Sequence, residues 1–165
     1  MAAAAVASAA TTLMLLDLPT QIGLQAAILL SADPRMPVRA RDLAATLGVS
    51  PLHIQRILNR LKEHGLVKTV RGPVGGAVLA RPASLITVWE VLVAIEPAQS
   101  LEGCILGLRR CNEENPCALH EAWAPIRARL LEELRKRTLK QAAEEAERTH
   151  FAGFGRGLPR DSATR

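Results

Sequence analysis

The segment that constrains the fold most is VSPLHIQRILNRLKEHG, residues 49–65, because it carries helix start and stop signals around one apolar face. Ser50 is a good N-cap and Pro51 suits the first helical turn, whereas Gly65 is a usual left-handed end. Between them, apolar residues recur at spacings of three and four, which predicts an amphipathic helix with one buried face. They are Ile54, Ile57, Leu58 and Leu61.

The flanking segments extend this helix into a larger motif. Residues 38–48, VRARDLAATLG, predict a shorter helix that ends at Gly48, so a tight glycine-containing turn joins the two helices. After residue 65, LVKTVR and AVLARP flank the glycine-rich GPVGG, which indicates a two-stranded hairpin. A first helix is predicted over residues 20–31. Aromatic residues make up only 2% of the chain, which also favours helices over a β-sandwich. We therefore predict a mainly α protein built on a winged helix-turn-helix.

The C-terminal half predicts two further helices with a cysteine-containing loop between them. Residues 87–97 begin with capping-box spacing and end at a proline. From Ala118 to about Glu147, an apolar stripe predicts one long helix. Because so small a chain offers no obvious partner for it, we expect this helix to pair with a second copy; the alternative is packing on its own domain. The stripe consists of Leu119, Trp123, Ile126, Leu130 and Leu134.

The chain is predicted to divide into four segments. They are a leader (1–17), a winged helix-turn-helix DNA-binding domain (18–85), a helix, cysteine loop and dimerisation helix (86–147), and a disordered tail (148–165). The leader is expected to be disordered or to precede a true start at Met14. It resembles an export signal, but no basic residue precedes Arg35, and Asp17 and Pro19 interrupt it. We expect a cytoplasmic protein that does not enter a membrane.

Positive charge is concentrated in residues 35–82, which carry nine basic and two acidic residues, whereas the whole chain has a net charge of +5. A basic block is typical of a phosphate-binding surface, and an ordinary solvated surface is the alternative. Because an α-helix fits the major groove, the polar face of the helix over residues 50–64 is predicted to read DNA. We predict base contacts from His53, Gln55 and Arg56.

The remaining predicted DNA contacts lie at the ends of this helix and on the hairpin. Ser50 is predicted to contact a base or a phosphate, and Arg60 and Lys68 are better placed for phosphates. Arg71 begins the hairpin tip, where an arginine can enter a narrow minor groove. Double-stranded DNA is therefore the expected partner.

All three cysteines, Cys104, Cys111 and Cys117, lie within 14 residues. An odd number cannot pair completely within one chain, and such clustering in a reducing compartment favours metal binding. The gaps of six and five residues are wider than those of common zinc sites and favour an iron–sulfur cluster. His120, three residues after the last cysteine, is the candidate fourth ligand, and an ordinary surface histidine is the alternative.

These motifs together resemble the Rrf-two family of bacterial winged-helix repressors, in particular its IscR-like and NsrR-like branches. The resemblance runs from about Leu18 to Lys140, and the hairpin VRGPVGGAVLAR and the cysteine triplet are its most specific parts. It implies a homodimer that binds a palindromic operator. It also implies a two-iron or four-iron cluster on the three cysteines, and the IscR-like branch supports His120 as a ligand.

Three positions depart from the family pattern, and one of them is Ile22, which stands where the first helix of family members often carries an aromatic residue. Ala77 stands where family wings often carry an aromatic residue. Gln21 stands where NsrR-like members carry an acidic ligand, and an amide cannot serve as an anionic ligand, which disfavours a nitric-oxide sensor of that type.

The sequence thus predicts a repressor and redox sensor whose operator affinity is controlled by an iron–sulfur cluster. The two-iron (2Fe-2S) form is favoured, and the four-iron (4Fe-4S) form is the alternative. A cluster-free thiol switch with the same fold is the second functional prediction. The chain shows no phosphate loop, no paired carboxylates at catalytic spacing and no nucleophile–base pair, so we predict that it is not an enzyme.

Overall fold

The computed structural model describes residues 16–33, 35–73, 75–96 and 102–149. The predicted leader and tail lie outside these ranges except for two residues each. Within the described part, the elements are α1 (Leu18–Ala32), α2 (Ala40–Leu47), α3 (Pro51–Glu63), β1 (Val67–Val70), β2 (Gly76–Leu79), α4 (Val88–Ile95), α5 (His120–Lys136) and α6 (Leu139–Arg148). None of the described helices has the length and apolar character needed to cross a bilayer.

The predicted helix-turn-helix is confirmed. Helix α2 ends at Gly48, whose φ of 66° is left-handed. Helix α3 begins after Ser50, whose hydroxyl accepts the backbone N–H of His53 at 3.3 Å. Its apolar face is buried through Ile54 and Leu61, both fully inaccessible to solvent. The two helices therefore share one core, and the opposite face of α3 stays in solvent.

The predicted hairpin is also confirmed as an antiparallel pair of β1 and β2, and it defines the wing. The segment before α2 also pairs with β2 of the wing, because Val38 exchanges two backbone hydrogen bonds with Ala77, at 3.0 and 2.8 Å. Gly76 is required at this crossing, since a Cβ there would lie 2.5 Å from the Val38 carbonyl oxygen. The wing is thus joined through its backbone to the start of the helix-turn-helix.

Helix α1 is the central element of the core and packs against α2, α3, α4 and α6. It approaches α4 closely at Gly23, where a Cβ would lie 1.8 Å from Ile95 Cδ1. The largest fully buried side chains come from α1, α2, α3, α4 and α6 and from the segment before α4, and one core joins the helix-turn-helix to α4 and α6. They are Leu30, Leu43, Ile54, Leu61, Ile86, Leu92, Leu139, Val91 and Thr20.

The prediction of one continuous helix from Ala118 to about Glu147 is wrong. Helix α5 ends at Lys136, and α6 begins after Thr138, whose hydroxyl and Gln141 form a reciprocal capping box. Residues 137–139 instead pair with residues 86–88 through two backbone hydrogen bonds, of 2.8 and 2.9 Å. The break turns α6 back onto α1.

The two parts of the predicted long helix therefore have different surroundings. Helix α6 packs on its own domain, because Leu139 is fully buried in the main core. Helix α5 contacts α4 through Leu131, yet Ile126 on this helix is 59% exposed and Leu119, just before it, is 44% exposed. These two large apolar side chains are thus in contact with solvent in the single chain.

We expect Leu139→Ala to lower the free energy of unfolding by about 2–5 kcal/mol, because it opens a cavity where α6 meets the core. Urea denaturation followed by circular dichroism measures the change. Leu85→Ala is the matched control, since Leu85 is 63% exposed and should change stability by less than about 0.5 kcal/mol. Equal effects of the two substitutions would contradict the packing of α6 in this core.

Candidate metal centre and nucleic-acid interface

The three cysteines come together in the loop between α4 and α5. The sulfur atoms of Cys104, Cys111 and Cys117 all lie within 4.8 Å of one another, and each residue is half-buried. The Sγ atoms of Cys104 and Cys117 are 3.5 Å apart. Soft sulfur donors at these separations suit a zinc ion or an iron–sulfur cluster. The grouping of the cysteines expected from the sequence is therefore present in the structure.

His120 lies beside this sulfur group rather than on the solvent side of α5. It is the first residue of α5 and is only 8% exposed. Its Nδ1 is 3.2 Å from Cys111 Sγ, and its Nε2 is 3.4 Å from the Glu113 carboxylate. A carboxylate on the far nitrogen orients an imidazole and fixes its tautomer, as at many metal sites. Nδ1 is thus the nitrogen that faces the sulfurs, and no sequence pattern indicated the Glu113 contact.

The start of the cysteine loop is attached to α5 by three side chains. The Gly103 carbonyl accepts hydrogen bonds from Trp123 Nε1 at 3.1 Å and from Arg127 Nη1 at 3.2 Å. One residue earlier, Glu102 pairs with Arg135 at 2.7 Å. Trp123 belongs to the stripe predicted for dimerisation, and its indole N–H was the overlooked signal of this second role. The position of Cys104 is therefore tied to α5.

The surroundings within the loop shift the pKa values of two of its thiols in opposite directions. The pKa of Cys104 is lowered to about 7, chiefly because the Leu108 backbone N–H donates a hydrogen bond to its sulfur. The Cys117 backbone N–H favours the Cys111 thiolate in the same way, but desolvation and the neighbouring sulfurs outweigh it and raise the pKa of Cys111. Two adjacent thiolates repel each other, so ionisation of one suppresses ionisation of the other. Cys104 thus ionises before Cys111.

Six of the seven predicted DNA contacts are exposed: Ser50, Gln55, Arg56, Arg60, Lys68 and Arg71. His53 differs, because it is half-buried and its Nε2 is enclosed without a hydrogen-bond partner in the described part of the chain. Arg60 also differs, because its Nη1 donates a hydrogen bond of 2.8 Å to the Ile95 carbonyl. The surface of α3 and the wing therefore presents most of the predicted polar groups to solvent.

The wing tip is held by a contact that the sequence did not reveal. Arg39, at the N-terminus of α2, donates through Nη2 to the Pro73 carbonyl at 2.5 Å. Next to it, Ala77 lines a cavity of about 260 Å³ between α3 and the wing, together with Gln55 and Asn59. The small side chain of Ala77 is consistent with this space. Arg39 thus fixes the wing against α2, and Arg71 remains exposed beside the tip.

Comparison with known proteins gives a consistent result. The family model Rrf2, the Rrf-two family named above, is described as "Iron-dependent Transcriptional regulator" and matches residues 16–145. The transcriptional regulator IscR of Klebsiella pneumoniae (strain 342) is 32% identical over 117 residues, which cover 71% of each chain. Relatives of this kind are transcriptional regulators and not enzymes.

Two solved structures share the fold. The IscR structure from T. potens matches with a TM-score of 0.66 and 25% identity, over 83% of this chain and 91% of that one. The structure of CymR, the global cysteine regulator of B. subtilis, matches with a TM-score of 0.65 and 27% identity, over 79% of this chain and 96% of that one. The architecture is therefore that of winged-helix regulators.

In the metal-free protein, Cys104 should be alkylated with a pH midpoint near 7, because its lowered pKa makes the reactive thiolate available there. Cys111, whose pKa is raised, should react appreciably only at higher pH. Iodoacetamide labelling between pH 5.5 and 10, resolved by peptide mass spectrometry, measures both profiles. Cys104→Ser is the control and should remove the component near pH 7. Identical profiles for the two cysteines would contradict the assignment.

Proposed function

The chain belongs to the Rrf2 family of transcriptional regulators, and we propose that it is a cytoplasmic repressor that senses redox state through an iron–sulfur cluster. The observation that carries the proposal is the meeting of three sulfurs within 4.8 Å beside an inward-facing imidazole. No other part of the described chain brings three metal-ligating cysteine or histidine side chains together in this way.

The donor set fits such a cluster in number and kind. Cys104, Cys111 and Cys117 would supply three thiolates, and His120 would supply Nδ1 as the fourth ligand. Four donors match the ligand number of two-iron and four-iron clusters, and mixed sulfur–nitrogen sets are known on two-iron centres. We therefore favour a two-iron cluster, with a four-iron cluster as the alternative. When bound, the cluster would supply reversible one-electron chemistry. Its loss would be a second signal to which the protein could respond.

Side chains of α5 would connect the cysteine loop of one subunit to the second copy of the chain. Trp123 and Arg127 hold the start of the cysteine loop on α5, so a rearrangement of the loop acts on this helix. The same helix leaves Ile126 and Leu119 exposed, and we propose that they form part of a homodimer interface. Two recognition helices must lie about one DNA turn apart on a palindrome. A small shift of α5 would therefore change how well both helices fit the operator.

The DNA contacts follow from the exposed face of α3 and from the wing. We propose that His53, Gln55 and Arg56 contact bases in the major groove. Rotation of the half-buried His53 ring would give its enclosed Nε2 a partner. Arg71 would enter the minor groove from the wing. Ser50, Arg60 and Lys68 would bind the backbone and fix the register of the protein on the duplex.

A second candidate function is a thiol switch without a cluster, and one distance favours it. Cys104 and Cys117 sulfurs are 3.5 Å apart, so a short movement would reach the disulfide bond length of about 2.05 Å. In that reaction the two thiols lose two protons and two electrons. Hydrogen peroxide would accept the two protons and the two electrons: its O–O bond and the two S–H bonds break, one S–S bond forms, and two water molecules are released.

Protein purified without oxygen should contain iron and sulfide and show absorption bands in the visible range, because the four donors hold a cluster. Cys117→Ala should abolish these bands, and His120→Ala should shift or weaken them. Glu114→Ala is the control, since this exposed loop residue should leave the spectrum unchanged. Colourless, iron-free protein that forms a Cys104–Cys117 disulfide with peroxide would exclude the cluster and support the thiol switch.

Arg56→Ala should weaken operator binding by about 10- to 100-fold, the loss expected for one bidentate base contact. Binding to unrelated DNA should fall much less, because backbone contacts dominate there. Fluorescence anisotropy at one fixed salt concentration compares the two duplexes. Lys140→Ala removes the same charge from α6 and should leave both affinities nearly unchanged. Equal weakening on both duplexes would show that Arg56 binds the backbone only.

A further inference from the structure

Arg60 makes a contact that a simple DNA-binding residue does not need. It lies in the last turn of α3, and its Nη1 donates at 2.8 Å to the carbonyl of Ile95, the last residue of α4. The final carbonyls of a helix have no partner within the helix, and a cation near them is stabilising. Arg60 therefore caps the C-terminus of a neighbouring helix while its side chain remains accessible to solvent.

The end of α4 forms a junction with α1. A Cβ on Gly23 would lie 1.8 Å from Ile95 Cδ1, so any larger residue there would force the Ile95 side chain to move. The next residue, Glu96, accepts a hydrogen bond of 3.3 Å from the hydroxyl of Thr20, which is fully buried. Because α1, α3 and α4 meet at these side chains, a displacement of α3 at Arg60 must move this junction.

The opposite face of α4 leads to the cysteine loop. The Trp89 ring lies 4.8 Å from the Arg135 guanidinium, and Arg135 pairs with Glu102, two residues before Cys104. Val88 and Leu92 pack against Leu131 of α5. Helix α4 is thus a single short element with the recognition helix at its end and the support of the cysteine loop along its side.

We propose that Arg60 is a positioning residue that couples the recognition helix to the cysteine loop through α4. Nη1 stays on the Ile95 carbonyl, and the remaining N–H groups bind a phosphate of the operator. Arginine suits this double role because its planar group presents five donors in a fixed arrangement, which lysine does not. The proposal rests on the DNA contacts and the cluster proposed above.

The test compares Arg60→Lys with Lys62→Met in the full-length, anaerobically purified protein. Lysine at position 60 keeps the charge for the phosphate but loses the fixed double contact. Lys62 is exposed on the same helix, and its replacement removes a charge without touching α4. Urea denaturation first establishes that both variants are folded.

The first measurement is the ratio of operator affinities with and without cluster, for which site-to-site coupling typically gives about 5- to 150-fold. Lys62→Met should weaken both states equally and leave the ratio unchanged. Arg60→Lys should bring the ratio to within about twofold of unity. A wild-type ratio in Arg60→Lys would overturn the proposal and reduce Arg60 to a phosphate contact.

The second measurement does not need a cluster, so it separates failure of this proposal from failure of the proposed function. Hydrogen–deuterium exchange is followed in the cluster-free protein with and without operator. Operator binding should slow exchange in residues 88–96 and 102–111 of the wild type and of Lys62→Met. In Arg60→Lys the slowing should be confined to α3 and the wing. An unchanged exchange rate in residues 88–96 of the operator-bound wild type would also contradict the proposed coupling.

Discussion

The backbone pairing between residues 86–88 and 137–139 is the constraint on which the rest of the structure depends. Two hydrogen bonds join these two segments, and Leu139, whose N–H donates one of them, is buried in the core. The cysteine loop is contained between the two paired segments, because α4 follows the first and α5 precedes the second. The two ends of the segment that contains the loop are therefore held together, so the three thiols belong to a closed segment of the chain rather than to an unattached loop.

The fold of the N-terminal half was predictable from the sequence because its signals are local. Ser50 and Gly48 act within one turn of the helices that they begin and end, and the alternation of the hairpin needs only its own residues. The break at Thr138 was missed although its capping box with Gln141 is also local. Helical spacing continued across it and concealed the start signal. Burial of Leu139 against α1 decided the outcome, and that contact spans more than 100 residues.

The candidate site divides in the same way. The cysteines and His120 were predicted because ligand chemistry is written in residue types and spacing. The groups that place them were not, since Trp123 and Arg127 act on a carbonyl about twenty residues away in the chain. A carbonyl acceptor carries no side-chain signature, and the same is true of the Ile95 carbonyl that binds Arg60. Contacts between side chains and backbone carbonyls are thus the part of such a site that sequence patterns do not predict.

The arrangement of the sulfur group itself distinguishes the two proposed functions. A disulfide between Cys104 and Cys117 would use two of the three thiols and leave Cys111 with no part in the chemistry. Yet Cys111 is the cysteine that contacts His120, whose other nitrogen faces Glu113. Three close sulfurs also repel one another once ionised, which the opposite pKa shifts of Cys104 and Cys111 express. A bound cationic centre would remove that repulsion and would use all four donors, which is why we propose the cluster ahead of the disulfide.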